Sequence, residues 1–425
     1  MRQDLAHLLR TRRFVPLFVT QFLGAFNDNQ FKNALVILIL YRLSERIAID
    51  GGILVTLAAG IFILPFFLFS ALAGQLADKF EKSRQIRLVK LCEILIMVLA
   101  VIGFISGGPY LLIGILFLMG TQSAFFGPLK YAILPDHLKP GELIGGNAFV
   151  EAGTFLAILL GTIGGGLIIL TAHGIAIISV SIVLTALAGY LASRAIPEAA
   201  PPSPELKLNL NIAAETWILV REALAPREMR LTILGISWFW LVGATFLAQF
   251  PALVKIGLGA DQQVVTLFLT IFSVGIGIGS LLCNRLLDGE ISARYVPLAM
   301  FSMTLFILDF YFSLRGFIIA PGPLTGAAGF LSQMQGWRIV VDLLAISIAG
   351  GVYIVPLYAL MQARSRKIAR ARTIAANNIL NALFMAAGAA VAAAMMAAGL
   401  SIPVIFLLLG VLNAGAAFLM SGLSA

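Results

Sequence analysis

Long apolar runs alternate with short polar segments along the whole 425-residue chain. Each run is about as long as a helix that crosses a bilayer, which needs roughly 20 residues. None shows the short alternating segments of a membrane barrel. The pattern therefore predicts an all-α integral membrane protein with twelve transmembrane helices. We place these spans at residues 14–41, 52–77, 88–106, 109–127, 143–169, 174–194, 231–254, 264–286, 295–314, 337–358, 373–398 and 403–420.

One polar interruption is much longer than most of the others and divides six predicted spans from six. It covers residues 195–230 and begins PEAAPPSPE, a composition typical of an extended linker. Within it Ala213, Trp217, Val220 and Leu224 recur at helical spacing, which predicts an amphipathic helix on the cytoplasmic face. We expect an N-terminal six-helix bundle at 1–194, this cytoplasmic linker at 195–230, and a C-terminal six-helix bundle at 231–425.

Short segments of the two halves resemble each other. Span four ends FFGPLKYAILPDHL and span ten ends YIVPLYALMQARS, while the spans that follow begin GGNAFVEAGTF and RTIAANNILNALF. Weak similarity between six-helix halves is typical of transporters built from parallel repeats. The alternative is that both halves merely share an apolar composition.

Composition and charge support the membrane assignment. The chain is 60% hydrophobic and only 12% charged, whereas soluble domains are about half apolar and about a quarter charged. It carries 29 lysines and arginines against 20 acidic residues. Most of the basic residues share one side of the membrane if the N-terminus is cytoplasmic, so the positive-inside rule predicts a multi-pass protein with both termini in the cytoplasm. Topology and contact with membrane lipids explain the basic excess, and no nucleic-acid partner is needed.

The first span contains a polar stretch, QFLGAFNDNQFKN, at residues 21–33. Asp28 falls near the middle of the span, where a charge is costly and normally faces a polar cavity. Asp28 and Lys32, four residues apart, could instead neutralise each other on one helix face. That alternative does not explain the four amides nearby. We therefore predict a helix that lines a path for substrate or ions. The amides are Gln21, Asn27, Asn29 and Asn33.

Other polar residues also fall in or beside predicted spans. Glu151 supplies a second acid about 15 Å into span five, and Lys130 supplies a base, unless it is only a lysine at the cytoplasmic boundary. Lys90 and Glu93 are within reach of each other on one helix. On span eleven, three asparagines would bind a polar ligand or join neighbouring helices. They are Asn377, Asn378 and Asn381. The glycines in Gly161-Thr-Ile-Gly164-Gly165-Gly166 predict a close helix contact.

The loop after span two contains GQLADKFEKSR, beginning at Gly74. It resembles the G-x-x-x-D-(R/K)-x-G-R motif of the major facilitator superfamily, except that Glu81 stands where glycine is usual. In that superfamily the acidic residue meets the helix end of the opposite half and braces one conformation, a role suited to a carboxylate at a helix N-terminus. The resemblance implies a twelve-helix major facilitator fold and a gating role for Gly74, Asp78, Lys79 and Arg84. An ordinary basic loop would explain the basic residues but not the spacing of Gly74 and Asp78.

Within that superfamily, four motifs resemble the bacterial lysophospholipid transporter family. They are QFLGAFNDN, GPLKYAIL, GNAFVEAGTFLAILLG and GGVYIVPLYALMQAR. The resemblance implies movement of lysophosphatidylethanolamine and related lysophospholipids from the outer to the inner leaflet of the bacterial inner membrane. A cytoplasmic-face lysophospholipid acyltransferase would then be a partner, and we expect a monomer without cofactor or metal. The predicted substrate-binding residues are Gln21, Asn27, Asp28, Asn29, Lys32, Lys130, Tyr131, Glu151, Asn377, Asn378 and Asn381.

The chain departs from the family pattern at one place. A basic residue is expected near Thr245-Phe246-Leu247-Ala248 in span seven, but this stretch is apolar until Gln249. Binding of an anionic head group would then depend more heavily on the N-terminal half. No histidine begins the H-x-x-x-x-D motif of the acyltransferases to which some family members are fused, so we expect the transport part alone.

Two other functions remain as alternatives. A proton-coupled exporter of amphipathic drugs would use the same fold, with Asp28 as the protonatable group. A membrane enzyme such as an acyltransferase or lipase would need a nucleophile paired with a base. The sequence shows no such pair, so we expect a protein that is not an enzyme.

Overall fold

The computed structural model describes residues 5–39, 41, 51–319 and 322–423, with side chains from residue 57 onward in the second range. This part of the chain contains twelve helices of at least 19 residues and three shorter ones. The helices are α1 (Val15–Leu38), α2 (Gly51–Lys79), α3 (Lys82–Ser106), α4 (Pro109–Ala132), α5 (Leu134–His137), α6 (Leu143–Ile168), α7 (Gly174–Ser193), α8 (Ile212–Leu224), α9 (Arg227–Ala252), α10 (Gln262–Leu287), α11 (Val296–Arg315), α12 (Ala327–Leu331), α13 (Met334–Arg364), α14 (Arg370–Ala397) and α15 (Ile402–Met420).

Eleven of the long helices in the described ranges are long and apolar enough to cross a membrane. The remaining one, α1, has 24 residues, which is sufficient length, but its amides and charges lower its hydropathy. The predicted all-α membrane architecture is confirmed, and the twelve long helices agree with the predicted number of spans. Residues 40 and 42–50, at the end of the first predicted span and in the loop after it, lie outside the described residues.

Helix ends follow the chemistry of the flanking residues. The side chains of Asn211 and Asp261 accept hydrogen bonds from backbone N–H groups in the first turns of α8 and α10. These first-turn groups have no partner within their own helix. α3 ends at Gly107, whose φ of 61° lies in the left-handed region that glycine adopts without strain. Local sequence thus sets these boundaries independently of the membrane.

Three helix pairings occur twice in the bundle. In the first half α1 packs on α6, α2 on α4, and α3 on α7. In the second half the counterparts are α9 with α14, α10 with α13, and α11 with α15. Two further pairings, α2 with α14 and α6 with α10, join the halves. A duplicated six-helix unit would produce this arrangement. The domain boundaries at 194 and 231 remain predictions.

The glycine-rich stretch of α6 lies against α1. A Cβ atom added at Gly161 would collide with the carbonyl oxygen of Phe26, and one at Gly165 with that of Gln30. The two backbones therefore approach more closely than any larger residue would permit. The predicted packing role of this stretch is confirmed.

The linker is held against the N-terminal half. Gln75, which is 2% exposed, exchanges two hydrogen bonds with the backbone of Asn209. The backbone N–H of Ser203 donates to the carbonyl of Asp78. We call this end of the bundle, where the α2–α3 and α13–α14 connections meet, the linker end. The linker thus follows the last turns of α2.

The predicted helix within the linker is α8, and three of its residues are buried against the bundle. Its buried residues are Glu215, Leu219 and Ala223, while Trp217 is 70% exposed. The helix contacts both α2 and α14, and the Glu215 carboxylate accepts a hydrogen bond from Asn209 at 3.0 Å. Val220 and Leu224 of the predicted apolar stripe are partly buried against the core, and the contact of this stripe with the membrane stays a prediction.

Candidate functional site

Asp28 and Lys32 are half-buried on α1 and do not form an ion pair with each other. The Asp28 carboxylate accepts a hydrogen bond from the Ser123 hydroxyl of α4 at 2.6 Å. Lys32 donates to the Asn29 side chain at 3.0 Å and lies over the Phe62 ring. The two groups attract each other electrostatically but make no direct ion pair in this structure. The Asp28 carboxylate and the Lys32 ammonium group can therefore contact different parts of a ligand.

A buried polar cluster lies beside Asp28. The Glu93 carboxylate accepts hydrogen bonds from Lys90 at 2.5 Å, Asn27 at 3.0 Å and Gln122 at 3.2 Å. The contact between Lys90 and Glu93 expected from the sequence is confirmed. A Cβ atom at Gly24 would lie 2.5 Å from the Lys90 ammonium nitrogen, so this glycine makes room for the charge. The cluster orients Asn27 inside the N-terminal half rather than toward the second half.

Two other amides of α1 bind α6. Thr154 donates to the Gln21 side-chain oxygen at 3.0 Å, and Asn33 donates to the carbonyl of Thr162 at 2.6 Å. Hydrogen bonds between membrane helices of this kind hold neighbouring helices together. Of the polar residues in the first span, Asp28 and Lys32 are thus the charged groups that keep part of their surface exposed.

Glu151 and Tyr131 meet where the two halves touch. The Tyr131 hydroxyl donates to Glu151 at 2.5 Å. The Tyr131 ring stacks on Tyr358 of α13, with centroids 4.3 Å apart and planes 6° apart. Trp240 of α9 donates to the Tyr358 hydroxyl at 2.9 Å. A carboxyl group of the first half is therefore joined through two aromatic rings to the second half.

The remaining predicted site residues occupy different places. Lys130 is half-buried over the Tyr131 ring. Asn381 accepts a hydrogen bond from Ser237 of α9 and so joins two helices of the second half. Asn377 is completely buried beside the Tyr358 hydroxyl. Asn378 lies against α4, because a Cβ atom at Gly127 would be 2.7 Å from its amide nitrogen.

A pair of amides that the sequence reasoning missed joins α6 to α13. The side chains of Asn147 and Gln362 exchange two hydrogen bonds, of 2.8 and 2.9 Å, and both residues are fully buried. Such reciprocal bonding satisfies both side chains without water. Both amides stand inside the motifs GNAF and LMQAR. Their presence in long apolar spans was the available signal, but nothing in the sequence pairs one with the other.

Asp78 caps the first turn of α14 from the end of α2. Its carboxylate accepts hydrogen bonds from the backbone N–H groups of Ala371 at 3.1 Å and Arg372 at 3.2 Å, and from the Arg372 guanidinium at 3.1 Å. Gly74 permits this contact, since a Cβ atom there would lie 2.7 Å from that of Ala375. The carboxylate also meets the positive end of the α14 dipole.

The other residues of the same motif act elsewhere. Lys79 lies over the neighbouring Phe80 ring, and Arg84 is highly exposed, 3.9 Å from Glu81 and Glu198. Asp136 forms a further connection between the halves, which was also not predicted from the sequence. It binds Lys82 at 2.9 Å and Arg370 at 3.3 Å.

Glu81, the residue that replaces the usual glycine, has its own structural role. Its carboxylate accepts hydrogen bonds from the backbone N–H groups of Ser83, Arg84 and Ala199 at 2.7–2.9 Å. It thereby caps α3 and fastens the start of the linker. Burial alone would raise the pKa of Glu81, but these donors together lower it below its usual value of 4.5.

The stretch in α9 that lacks the expected basic residue is packed with apolar groups. Thr245 donates to the carbonyl of Leu241 in its own helix at 2.8 Å, and the Phe246 ring stacks on Phe406 with centroids 4.5 Å apart. The charged candidates described above therefore all belong to the first half. They are Asp28, Lys32, Lys130 and Glu151.

The fold defines a multi-pass helical membrane protein, and the family to which it belongs makes it a transporter rather than an enzyme. Two sets of helices meet through polar and aromatic contacts, and the first set contains Asp28, Lys32 and Lys130, which form no ion pair within 4 Å with any residue that the structure describes. The chain belongs to the Major Facilitator Superfamily, whose family profile matches residues 17–321.

Relatives and solved structures agree with this assignment. Proteins named lysophospholipid transporter LplT are similar to the chain at 26% identity over 378 residues in Serratia proteamaculans and 28% over 375 in Salmonella arizonae. Each match covers 87% of this chain and 85% of the relative. Among solved structures, the human organic anion transporter MFSD10 has a TM-score of 0.76 at 16% identity, covering 96% of this chain and 99% of that one. The Escherichia coli fucose:proton symporter FucP has a TM-score of 0.68 at 13% identity, with coverage of 97% and 98%.

Proposed function

We propose that the protein moves lysophosphatidylethanolamine and related lysophospholipids from the outer to the inner leaflet of a bacterial inner membrane. The observation that carries this proposal is the separation of acid and base on α1 and α4. Asp28 and Lys32 form no direct ion pair with each other, and Lys130 has no acidic side chain within 4 Å among the described residues. A zwitterionic head group needs such separated charges. The relatives named as lysophospholipid transporters support the choice of lipid.

In this proposal the phosphate of the head group binds Lys130 and Lys32, and its ammonium binds Asp28. The apolar surface of α9 leaves the second half without a basic partner in this region, so that half receives the acyl chain. Trp240 and Phe155, whose rings stack with centroids 6.1 Å apart, give the boundary between the halves the aromatic character that suits a lipid tail. Asn378, next to Gly127, adds an amide donor at the same boundary.

Transport would proceed by alternating access of two six-helix bundles. We propose that the linker end faces the cytoplasm together with both termini, as the distribution of basic residues predicts. Here it is closed by the Asp78 cap on α14, the amide pair of Asn147 and Gln362, and the stack of Tyr131 on Tyr358. Opening would deliver the lysolipid to a cytoplasmic acyltransferase, and a monomer suffices for this cycle.

The deciding experiment is a leaflet-resolved transport assay with the purified protein in liposomes. Labelled lysophosphatidylethanolamine should move between leaflets, and unlabelled lysolipid should compete better than the two-chain parent, because a second tail needs apolar volume that packed helices do not offer. Equal competition by both lipids would indicate a general scramblase. Transport of diverse cationic drugs in place of lysolipid would indicate the exporter.

Three variants test the head-group site at matched expression. Asp28→Asn and Lys32→Gln should each reduce transport, and the double variant should insert and fold yet remain inactive, because each residue contacts the substrate separately. Recovery of near-normal transport in the double variant would reduce the two residues to a structural ion pair. Lys255→Gln, a change of the same kind at an exposed lysine after α9, serves as the control.

A further inference from the structure

Glu151 is a buried carboxyl group with one unsatisfied oxygen. The residue is 0% exposed. One oxygen accepts the Tyr131 hydroxyl at 2.5 Å, and the other has no hydrogen-bond partner. An ionised carboxylate in such a place loses its hydration and gains a single donor in return, which is strongly unfavourable.

The groups around Glu151 do not supply a full counter-charge. From α4, Lys130 attracts the carboxylate electrostatically but lies beyond the 4 Å of an ion pair, and Tyr131 is the bonded donor. From α13 the titratable group is Tyr358. From α1, Gln21 is bonded to Thr154 in this part of α6, and its amide cannot titrate. α7 contains no charged residue, and the one charged residue within α10 is Arg285, near the end of that helix.

Binding a proton would neutralise the buried carboxylate, whereas a metal ion does not fit at this place. The unsatisfied oxygen has almost no accessible surface, so no volume is left for an ion that needs several oxygen ligands at more than 2 Å. A proton needs no volume. We propose that Glu151 binds a proton when the linker end is closed and releases it when the two halves separate.

The direction of the coupling follows from the contacts. In the closed arrangement the stack of Tyr131 on Tyr358 seals Glu151 from water. Separation of the halves would break this stack and expose the carboxyl group, which then ionises readily. Low pH therefore favours the closed linker end and high pH the open one. The inference rests on the alternating-access part of the proposed function but not on the identity of the lipid. It gives Glu151 a role other than the predicted substrate contact.

The test measures conformation rather than transport. Spin labels at Phe80→Cys and Ile368→Cys, both exposed at the linker end, report the distance between the halves in a chain whose two native cysteines are replaced by serine. The closed fraction of the otherwise unchanged protein in lipid should fall as the pH rises from about 5 to about 9, a range that covers shifted carboxyl pKa values. The Glu151→Gln variant, which mimics the protonated form, should remain closed throughout.

Two further variants make the result specific. Tyr131→Phe keeps the ring stack but removes the donor to the ionised form, so the midpoint of the transition should move upward by about one pH unit. Asp342→Asn, which changes another buried carboxyl group that accepts a hydrogen bond from Ser313, should keep the pH dependence of the parent chain. The proposal is overturned by a closed fraction independent of pH, by unchanged pH dependence in Glu151→Gln, or by closure that follows sodium concentration at fixed pH. If Glu151→Gln fails to fold, an unshifted midpoint in Tyr131→Phe overturns it.

Discussion

The contact between Asp78 and α14 allows the closure of the linker end to be tested quantitatively. The Asp78→Asn change keeps one acceptor oxygen but removes the charge and the second acceptor. The lost cap on Ala371 and Arg372 is worth about 1 kcal/mol. The ion pair to Arg372, whose side chain is 22% exposed, is worth at most about 1 kcal/mol. The sum of about 2 kcal/mol corresponds to a shift of roughly 30-fold from closed toward open at the linker end.

Cysteine labelling measures this shift. A single cysteine placed in the interior near Tyr358 should react much faster with a membrane-impermeant reagent from the linker end in the Asp78→Asn variant. Substrate binding should be retained, because Asp78 caps α14 at the linker end, whereas Asp28 is bonded by Ser123 of α4. An unchanged labelling rate would refute the argument that this contact holds the halves together.

The same motif supplies matched controls. Lys79→Gln and Arg84→Gln also remove charges from the loop after α2, but neither side chain reaches α14. In both variants the interior cysteine should react at the same rate as in the parent chain. If either variant raises the labelling rate as strongly as Asp78→Asn does, the motif acts through its net charge rather than through the cap on α14.

Three further predictions follow from buried contacts. Glu93→Ala should lower stability in detergent by about 3–5 kcal/mol, because it leaves the buried Lys90 charge without its partner. Adding Lys90→Met should restore most of the lost stability, and thermal unfolding of both variants tests this. Gly165→Leu should abolish correctly folded protein in size-exclusion chromatography, whereas Gly60→Leu, at a position with open space, should not. Glu81→Gln should be less stable than the parent at neutral pH, and the difference should vanish as the pH falls through the folded pKa below 4.5; a constant difference down to pH 3 would contradict this.

Features that depend on local sequence were predictable. Apolar runs indicated the spans, and the spaced glycines of α6 indicated its contact with α1. The gating motif was recognised from its fixed spacing, with Gly74 and Asp78 one helical turn apart on the same face. These patterns are visible within a window of a few residues because helix geometry alone determines which side chains share a face.

Contacts between distant parts of the chain were not predictable in the same way. Asn147 and Gln362 are 215 residues apart, so the sequence around one residue gives no indication that the other is its partner. The spacing of Asp28 and Lys32 suggested a pair, but the Ser123 hydroxyl of another helix binds the carboxylate instead. Glu81 departs from the motif, and one of its three backbone donors, Ala199 of the linker, lies 118 residues away in the sequence. Tertiary packing decided each case.

The polarity of α1 also has a consequence for how the chain is synthesised. Alone among the long helices described, it is too polar to be recognised as a span by hydropathy. Its side chains find partners on helices translated later, such as Glu93 of α3, Ser123 of α4 and Ser181 of α7. When α1 leaves the ribosome none of these partners exists, and its amides would face lipid unsatisfied. We therefore expect α1 to remain beside the insertion machinery until α7 has been made, so that the N-terminal helix is among the last of its half to settle in the bilayer.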